Sequence, residues 1–389
     1  MLNIKDIAWQ GKVALVRADL NVPIEKGVIK DTTRIKRSLA TLEYILSQGG
    51  VCTIMSHLGR PAGYDEQCSL QPIANMLATF IGKKVLLLKD FDSDKKLNPD
   101  HVYLYENTRF FAGEAENNDN LSKKMASCCD VYVMDAFASS HRKHSSTYGI
   151  MSFAKECCAG FLLESEVAAI SGLFLAPKRP VLAVIGGAKI TGKIDLLDSL
   201  LEFIDILVVV GGMANTFLKA KSYNIGKSLC EDDKVGLAKN IIDRAASKGV
   251  VLYLPHDFII ASPESDIEAV QKEKNEIADG DIIYDIGSGT CAALENILNN
   301  SSTVIWNGPL GMFENKLYAQ GSLFFAKVLA ASQAYSVVGG GDTLRVITEA
   351  GVMDSISYAS TGGGAFLDLL ANRSLPALDL LNKKVMDDA

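Results

Sequence analysis

The chain has 389 residues, 48% of them hydrophobic and 22% charged, with a formal net charge of -7. At roughly 100 to 200 residues per domain this length predicts two or three globular domains, and the acidic balance argues against a nucleic-acid or anionic-membrane surface. Its apolar stretches stop short of the ~20 residues a membrane helix needs, and Lys5 and Asp6 interrupt the first residues too early for a secretory signal.

Taken in order, short runs rich in Val, Ile, Leu and Tyr lead into Gly or polar residues and then into helical periodicity, the pattern of strand-helix units on a parallel sheet. The first half carries "VALVRADLN" (13–21), "VCTIMSHLGR" (51–60), "KVLLL" (84–88), "VYLYENTRF" (102–110) and "VYVMDAF" (131–137). Between the halves, "FLLESEVAAISGLFLAPKRP" (161–180) places Leu163, Val167, Ile170 and Phe174 at helical spacing before Pro177 and Pro180, which predicts a long helix ending in a stiff linker. The second half carries "VLAVIGG" (181–187), "ILVVVGG" (206–212), "VVLYL" (250–254), "IIYDIGSG" (282–289), "TVIWNGP" (303–309), "YSVVGGGD" (335–342) and "SYASTGGG" (357–364). These twelve runs are too many for one open sheet, so the expectation is an α/β protein with two sheets, one per half. The eight cysteines, Cys52, Cys68, Cys230, Cys291 and the adjacent pairs Cys128-Cys129 and Cys157-Cys158, lack C-x-x-C spacing and read as reduced thiols.

Ligands of open α/β sheets bind beyond the carboxyl ends of the strands, so the residues that follow each run carry the chemistry. After the first-half runs come Arg17, Asp19 and Asn21, Arg34 in "DTTRI", His57 and Arg60 in "SHLGRP", Arg109 in "ENTRF", and His141, Arg142 and His144 in "SSHRKH". Arginines repeated at one sheet edge of an acidic protein point to a pocket for a small polyanion, because the planar guanidinium grips carboxylate and phosphate oxygens bidentately.

Glycines take their place in the second half: Gly186-Gly187, Gly211-Gly212, Gly287, Gly308, Gly311, Gly339 to Gly341 and Gly362 to Gly364. Glycine turns that open onto helix N-termini suit nucleotide phosphates. "GGAKITGKID" nearly spells a phosphate-binding loop, but Ile194 stands where the motif needs a hydroxyl. On a helix beginning there Lys189 and Lys193 would share a face, with Ile194 turned to the sheet. Asp342 in "GGGDT" is placed to hold a Mg²⁺ carried by phosphates, and Glu314 to accept hydrogen bonds from ribose hydroxyls. A polyanion site and a nucleotide site on two halves suggest phosphoryl transfer after domain closure.

The ordered set "VRADLNVP", "DTTRI", "SHLGRP", "ENTRF", "DAFASSHRKHSST", "GGAKITGKI", "GGMANTF", "WNGPLGMFE", "GGGDT" and "STGGGAF" resembles the phosphoglycerate kinase family from end to end. The resemblance implies two Rossmann-like domains, each with a parallel six-stranded sheet flanked by helices, joined by a hinge helix. Residues 1–160 would bind the triose phosphate, 161–180 form the hinge, 181–370 bind nucleotide, and 371–389 pack back on the first domain. It implies a cytoplasmic monomer of glycolysis that transfers the acyl phosphate of 1,3-bisphosphoglycerate to Mg-ADP, giving 3-phosphoglycerate and ATP.

Carried over by motif, Asp19, Asn21, Arg34, His57, Leu58, Gly59, Arg60, Arg109 and Arg142 would bind the triose. Lys189, Lys193, Gly211, Gly212, Asn307, Glu314, Gly340, Gly341, Asp342 and Thr343 would bind the nucleotide, with Asp342 on the metal. Arg34, Lys189, Gly340 and Gly363 would act on the transferring group. The chain departs from the family pattern at Ser288 and Gly289, where Pro and Lys are more common, and after "TRF", where His-Pro often follows. A nicotinamide-dependent oxidoreductase would need G-x-G-x-x-G at the first turn, which "VRADLNVP" lacks. A non-catalytic anion-binding protein would leave the paired lysines and "GGGDT" without a task.

Overall fold

The computed structural model describes residues 1–261 and 269–387, and the chain divides into two compact units, Ala169–Arg373 and a first unit of Met1–Ala168 joined by the residues from Ser374 on. The first unit contains β1 (Val13–Ala18), β2 (Ile24–Glu25), β3 (Val28–Ile29), β4 (Val51–Met55), β5 (Val85–Leu88), β6 (Val102–Tyr105), β7 (Val131–Asp135) and β8 (Glu156–Ala159). Its helices are α1 (Thr33–Ser47), α2 (Gln71–Ile81), α3 (Asp119–Ala126) and α4 (Ile150–Phe153). Helix α5 (Phe161–Leu175) carries the chain from the first unit into the second.

Six strands of the first unit form a parallel sheet in the order β5-β6-β4-β1-β7-β8. Helices cover both faces of such a sheet, so its central strands are mostly apolar; β4 and β7 are buried along their whole length. Val16 pairs with Ile54 on one side and Val133 on the other. Ile35, Leu42 and Ile45 of α1 and Ile73, Ala74 and Leu77 of α2 join that core. Helix α2 carries Pro72 in its first turn and stops at Gly82 in the left-handed region, φ 70°.

The sixth strand escapes the sequence pattern. Residues 156–159 are only "ECCA", whose cysteines read as thiols, yet Cys158 is fully buried against the core of the first unit.

The second unit contains β9 (Val181–Ile185), β10 (Ile206–Val209), β11 (Val251–Tyr253), β12 (Asp257–Ala261), β13 (Val270–Glu273), β14 (Ile282–Ile286), β15 (Thr303–Asn307), β16 (Tyr335–Gly339) and β17 (Tyr358–Ser360). Its helices are α6 (Ile194–Leu200), α7 (Gly212–Ala220), α8 (Val235–Ser247), α9 (Ser288–Asn299), α10 (Gln320–Ala331), α11 (Gly341–Glu349) and α12 (Gly364–Asn372). The parallel sheet runs β11-β10-β9-β15-β16-β17, the doubly wound order of dinucleotide-binding folds.

One expectation fails here. "IIYDIGSG" does not join this sheet: β14 pairs antiparallel with β12 in a separate sheet, β13-β12-β14. A short apolar run does not disclose whether its partners are parallel, so Gly287 does not stand at the edge of the nucleotide-type sheet.

Helix α13 (Pro376–Asp387) returns to the first unit. Ala377 N–H donates to the Ser140 carbonyl at 3.2 Å, and Lys384 Nζ to the Ala154 carbonyl at 2.7 Å. Among the described residues no helix is long and apolar enough to cross a membrane, and all eight cysteines are free thiols.

Candidate functional site

In the first sheet the chain leaves β1 toward β4 and later returns to β7 on the other side of β1, so the strand order reverses between β1 and β7. Crevices for ligands form beyond the carboxyl ends at such a point. Arg17, at the end of β1, is only 1% exposed. Its Nε donates to Ser146 Oγ at 3.0 Å, Nη1 to the Ala18 carbonyl at 2.7 Å, and Nη2 to His57 Nδ1 at 3.1 Å. Ser146 passes the charge on, donating its hydroxyl to Glu114 Oε1 at 2.5 Å and its N–H to Oε2 at 2.9 Å. Burial pushes the Glu114 carboxyl up, opposed by Arg17 and by these hydrogen bonds.

Arginine has donors and no acceptor, so His57 Nδ1 must accept and the ring's proton lies on Nε2. Burial holds His57 well below the usual histidine range, reinforced by the charges of Arg17, Arg109, Arg142 and Arg34. His57 is therefore a neutral donor.

Arg34, in the first turn of α1, donates Nη1 to Asp19 Oδ2 at 2.8 Å and to the Asn21 carbonyl at 3.3 Å. Asn21 Oδ1 accepts the Gly59 N–H at 3.0 Å, which ties this corner to the loop after β4. Asn107, beyond β6, holds the Leu58 N–H at 3.3 Å and donates to the Leu58 carbonyl at 2.8 Å. Arg109 is half-buried, and its buried Nε has no partner among the described residues. Arg142 donates Nε to His141 Nε2 at 3.1 Å. Burial lowers the Arg142 pKa, and the fields of Arg109, Arg60 and Arg17 lower it further. His144 is brought down to about 4 by burial and by Arg109, Arg142 and Arg17. The charges of Arg17, Arg34, Arg109 and Arg142 act on His57, and those of Arg17, Arg60 and Arg109 on Arg142, so these arginines gather around one spot, with Asp19 among them.

Arg17 was legible as a strand-end cation, but its hold on His57 was not. Glu114 and Ser146 carried no motif signal for their pairing, which arises from the path of the loops after β6 and β7.

In the second sheet the order reverses between β9 and β15. Lys193 folds back across this point, donating Nζ to the Gly186 carbonyl at 2.5 Å and to Asn307 Oδ1 at 2.6 Å. Burial brings its ammonium down to about 8, and the charge of Asp342 opposes the fall. Asn307 Nδ2 donates to the Gly339 carbonyl at 2.6 Å, and Thr343 Oγ1 accepts the Gly308 N–H at 2.7 Å. The loops after β9, β15 and β16 are thus braced against one another. Gly308 has φ +91°, and a Cβ there would lie 2.3 Å from the Gly186 carbonyl oxygen, so only glycine fits.

Helices α11 and α12 begin after Gly340 and Gly363, neither of which supplies a side-chain cap. A helix start without a side-chain cap is of the kind that receives anions. Gly211 and Gly212 line a narrow cleft with Pro255, Ile283, Tyr284 and Leu310. Glu314, Gly341 and Asp342 are exposed.

The structure corrects the reading of "GGAKITGKID". Helix α6 begins at Ile194, with Lys193 as its N-cap. Lys189 lies in the preceding loop, so the two lysines do not share a helical face. Glu231 accepts the Ile190 N–H and the Thr191 hydroxyl and so keeps this stretch from winding. Lys189 is exposed, and Ile190 is the isoleucine fully buried here, while Ile194 is half-buried.

At the divergent loop, Asp257 receives the Gly289 N–H at 2.8 Å and the Thr290 N–H at 2.6 Å. A Cβ on Gly289 would come within 2.9 Å of His256 Nε2, so a lysine there would require His256 to move.

No group of three or more His, Cys, Asp or Glu side chains able to cage a metal occurs among the described residues. A lone exposed carboxylate such as Asp342 suits a Mg²⁺ that arrives on phosphates and keeps most of its ligands from them and from water.

The sequence matches the family described as Phosphoglycerate kinase over residues 4–373. A phosphoglycerate kinase of Francisella philomiragia is 42% identical over 386 residues, spanning 98% of each chain. The solved phosphoglycerate kinase of Coxiella burnetii superposes with a TM-score of 0.93 at 42% identity, covering 98% of this chain and 99% of that one. That of Pyrococcus horikoshii OT3 superposes with a TM-score of 0.85 at 29% identity over 98% of both chains.

Proposed function

Because the chain belongs to the phosphoglycerate kinase family, phosphotransferases with a carboxyl group as acceptor, we propose that it reversibly transfers the acyl phosphate of 1,3-bisphosphoglycerate to Mg-ADP, giving 3-phosphoglycerate and ATP in glycolysis. The observation that carries this reading is the set of arginines gathered about His57 and Arg142 at the β1/β7 reversal.

In this reading Asp19, Asn21, His57, Leu58, Gly59, Arg60, Arg109 and Arg142 bind the triose, His57 donating from neutral Nε2. Asp19 aims Arg34 until the transferring phosphoryl group replaces it as the guanidinium's partner. Lys189, free of the helix and exposed, approaches the same group from the second unit, and the N–H groups that follow Gly340 and Gly363 receive its charge. Lys193, Gly211, Gly212, Asn307, Glu314, Gly341, Asp342 and Thr343 hold the nucleotide. Mg²⁺, when bound, neutralises and orients the phosphates, and Asp342 is the carboxylate that would hold it.

The acceptor of the reverse reaction is a carboxylate, ionised at neutral pH with a pKa near ~4, so no general base is required. Catalysis then consists of positioning and charge neutralisation, completed by closure about the 161–180 hinge. We place residues 1–160 and 371–389 with the triose, 181–370 with the nucleotide, and the enzyme in the cytoplasm as a monomer; the free thiols support a reducing compartment.

The test is an assay of MgATP with 3-phosphoglycerate, coupled to consumption of the acyl phosphate formed. Turnover that requires both substrates and Mg²⁺ is expected. No turnover with all three present would overturn the reading.

A further inference from the structure

The helix that carries Arg34 is clamped to the start of the helix that leaves the first unit. Along α1, Arg34, Arg37, Thr41 and Tyr44 recur at the three- and four-residue spacing of a single face. Arg34 reaches Asp19, and the other members of this stripe all meet α5. Arg37 Nη1 lies 3.8 Å from Oε1 of the fully buried Glu166. Thr41, itself buried, accepts the Phe161 N–H on Oγ1 at 3.0 Å. The Tyr44 ring meets the Phe161 ring edge-on, with centroids 5.3 Å apart.

The last residue of β7 closes the clamp. Asp135 is fully buried, and its Oδ1 accepts the N–H groups of Leu162 at 2.9 Å and Leu163 at 3.2 Å. Burial raises the Asp135 carboxyl to about 7, opposed by the nearby Thr41 hydroxyl and by these N–H groups. A helix start leaves its first N–H groups without intrahelical partners; in α5 those of Phe161, Leu162 and Leu163 are taken by side chains from α1 and β7. A Cβ on Gly160 would lie 2.2 Å from Asp135 Oδ1, so the approach depends on glycine there. Thr41 thus takes the first N–H of α5 and Asp135 the next two, which joins α1 and β7 to the start of that helix.

We propose that Thr41 and Asp135 are positioning residues that set Arg34 by clamping α1 to the first turn of α5. The inference rests on the role given to Arg34 above. Seven residues of helix span ~10 Å, so a tilt of about 5° at Thr41 moves Arg34 by ~1 Å. A misplacement of that size costs a reaction that depends on geometry up to ~100-fold.

Thr41→Val removes the hydroxyl at nearly constant volume, and Thr41→Ser keeps it. In the coupled assay Thr41→Val is expected to lower kcat on the order of ten-fold with both KM values within about two-fold, because the strand-end ligands stay in place. Thr41→Ser is expected to retain the wild-type kcat. Tyr44→Leu, on the half-buried end of the stripe, serves as a second variant with the same expected split should the valine variant fold poorly. An unchanged kcat in Thr41→Val, a KM for 3-phosphoglycerate that rises as far as kcat falls, or a serine variant as impaired as the valine variant overturns the proposal. A wild-type protein with no turnover overturns instead the functional reading beneath it.

Discussion

The Arg17 guanidinium donates Nη2 to His57 Nδ1 across 3.1 Å, inside a pocket where Arg17 is 1% exposed. This contact decides the chemistry of His57: a ring held by a permanent donor keeps its proton on Nε2 and resists a second one. Nitrogen-15 NMR of the protein at neutral pH should show His57 as the Nε2–H tautomer, with no titration through the ordinary histidine range near ~6.5. A protonated Nδ1, or an ordinary titration, would remove His57 as a neutral donor.

Lys193 offers a pH signature for the second unit. Burial brings its ammonium down to about 8, so the charge is present below that value and lost above it. Nucleotide affinity should therefore weaken as pH rises through about 8. Lys193→Met should bind nucleotide on the order of ten-fold or more weakly, as expected when a charge-assisted contact worth ~1.5–3 kcal/mol is removed, and should lose this pH dependence. Equal affinity on both sides of that pH, measured by calorimetry, would take Lys193 out of the nucleotide site.

Asp285 makes a stability prediction of definite sign. Burial raises its carboxyl to about 7, against accepted N–H groups from Gly321 and Ile286. A raised folded-state pKa means the folded protein keeps a proton the unfolded chain has released. This contribution is present below the unfolded value near ~4 and is lost as pH rises toward about 7. Asp285→Asn carries a constant cost for its altered hydrogen bonds but should flatten the decline, by at most ~1.4 kcal/mol per pH unit. Parallel stability curves for the two proteins in urea titrations across that window would contradict the assignment.

At Gly308 the test is conformational. An alanine there would combine φ +91° with a Cβ 2.3 Å from the Gly186 oxygen, so Gly308→Ala should lose at least ~1–3 kcal/mol of stability and weaken nucleotide binding as Lys193 and Asn307 are displaced. A variant as stable and as tightly binding as the wild type would show that the loops are not braced there.

The parts of this molecule legible in the sequence are those written into one local stretch. An apolar run followed by Arg or Gly reported both a strand and its carboxyl end, which is how Arg109, Gly340 and the two parallel sheets could be placed. What could not be read depends on partners distant in the chain. Residues 282–286 are as apolar as a parallel strand, and only their pairing with 257–261 makes them antiparallel. Lys189 and Lys193 have helical spacing, yet Glu231, some forty residues on, holds the loop open. "ECCA" becomes a strand because β7 is beside it. The α1 stripe is readable as a helix face, but not that α5 lies against it.

The central claim is a division of labour, with Arg34 acting on the transferring phosphoryl group from the first unit while the second unit alone binds nucleotide. Arg34→Ala, assayed for turnover and titrated with ADP in the same preparation, tests it most directly. Turnover should fall on the order of 100-fold or more, the scale of losing one donor to developing charge, with ADP affinity within a few-fold of wild type. Loss of ADP binding as complete as the loss of turnover would contradict the division.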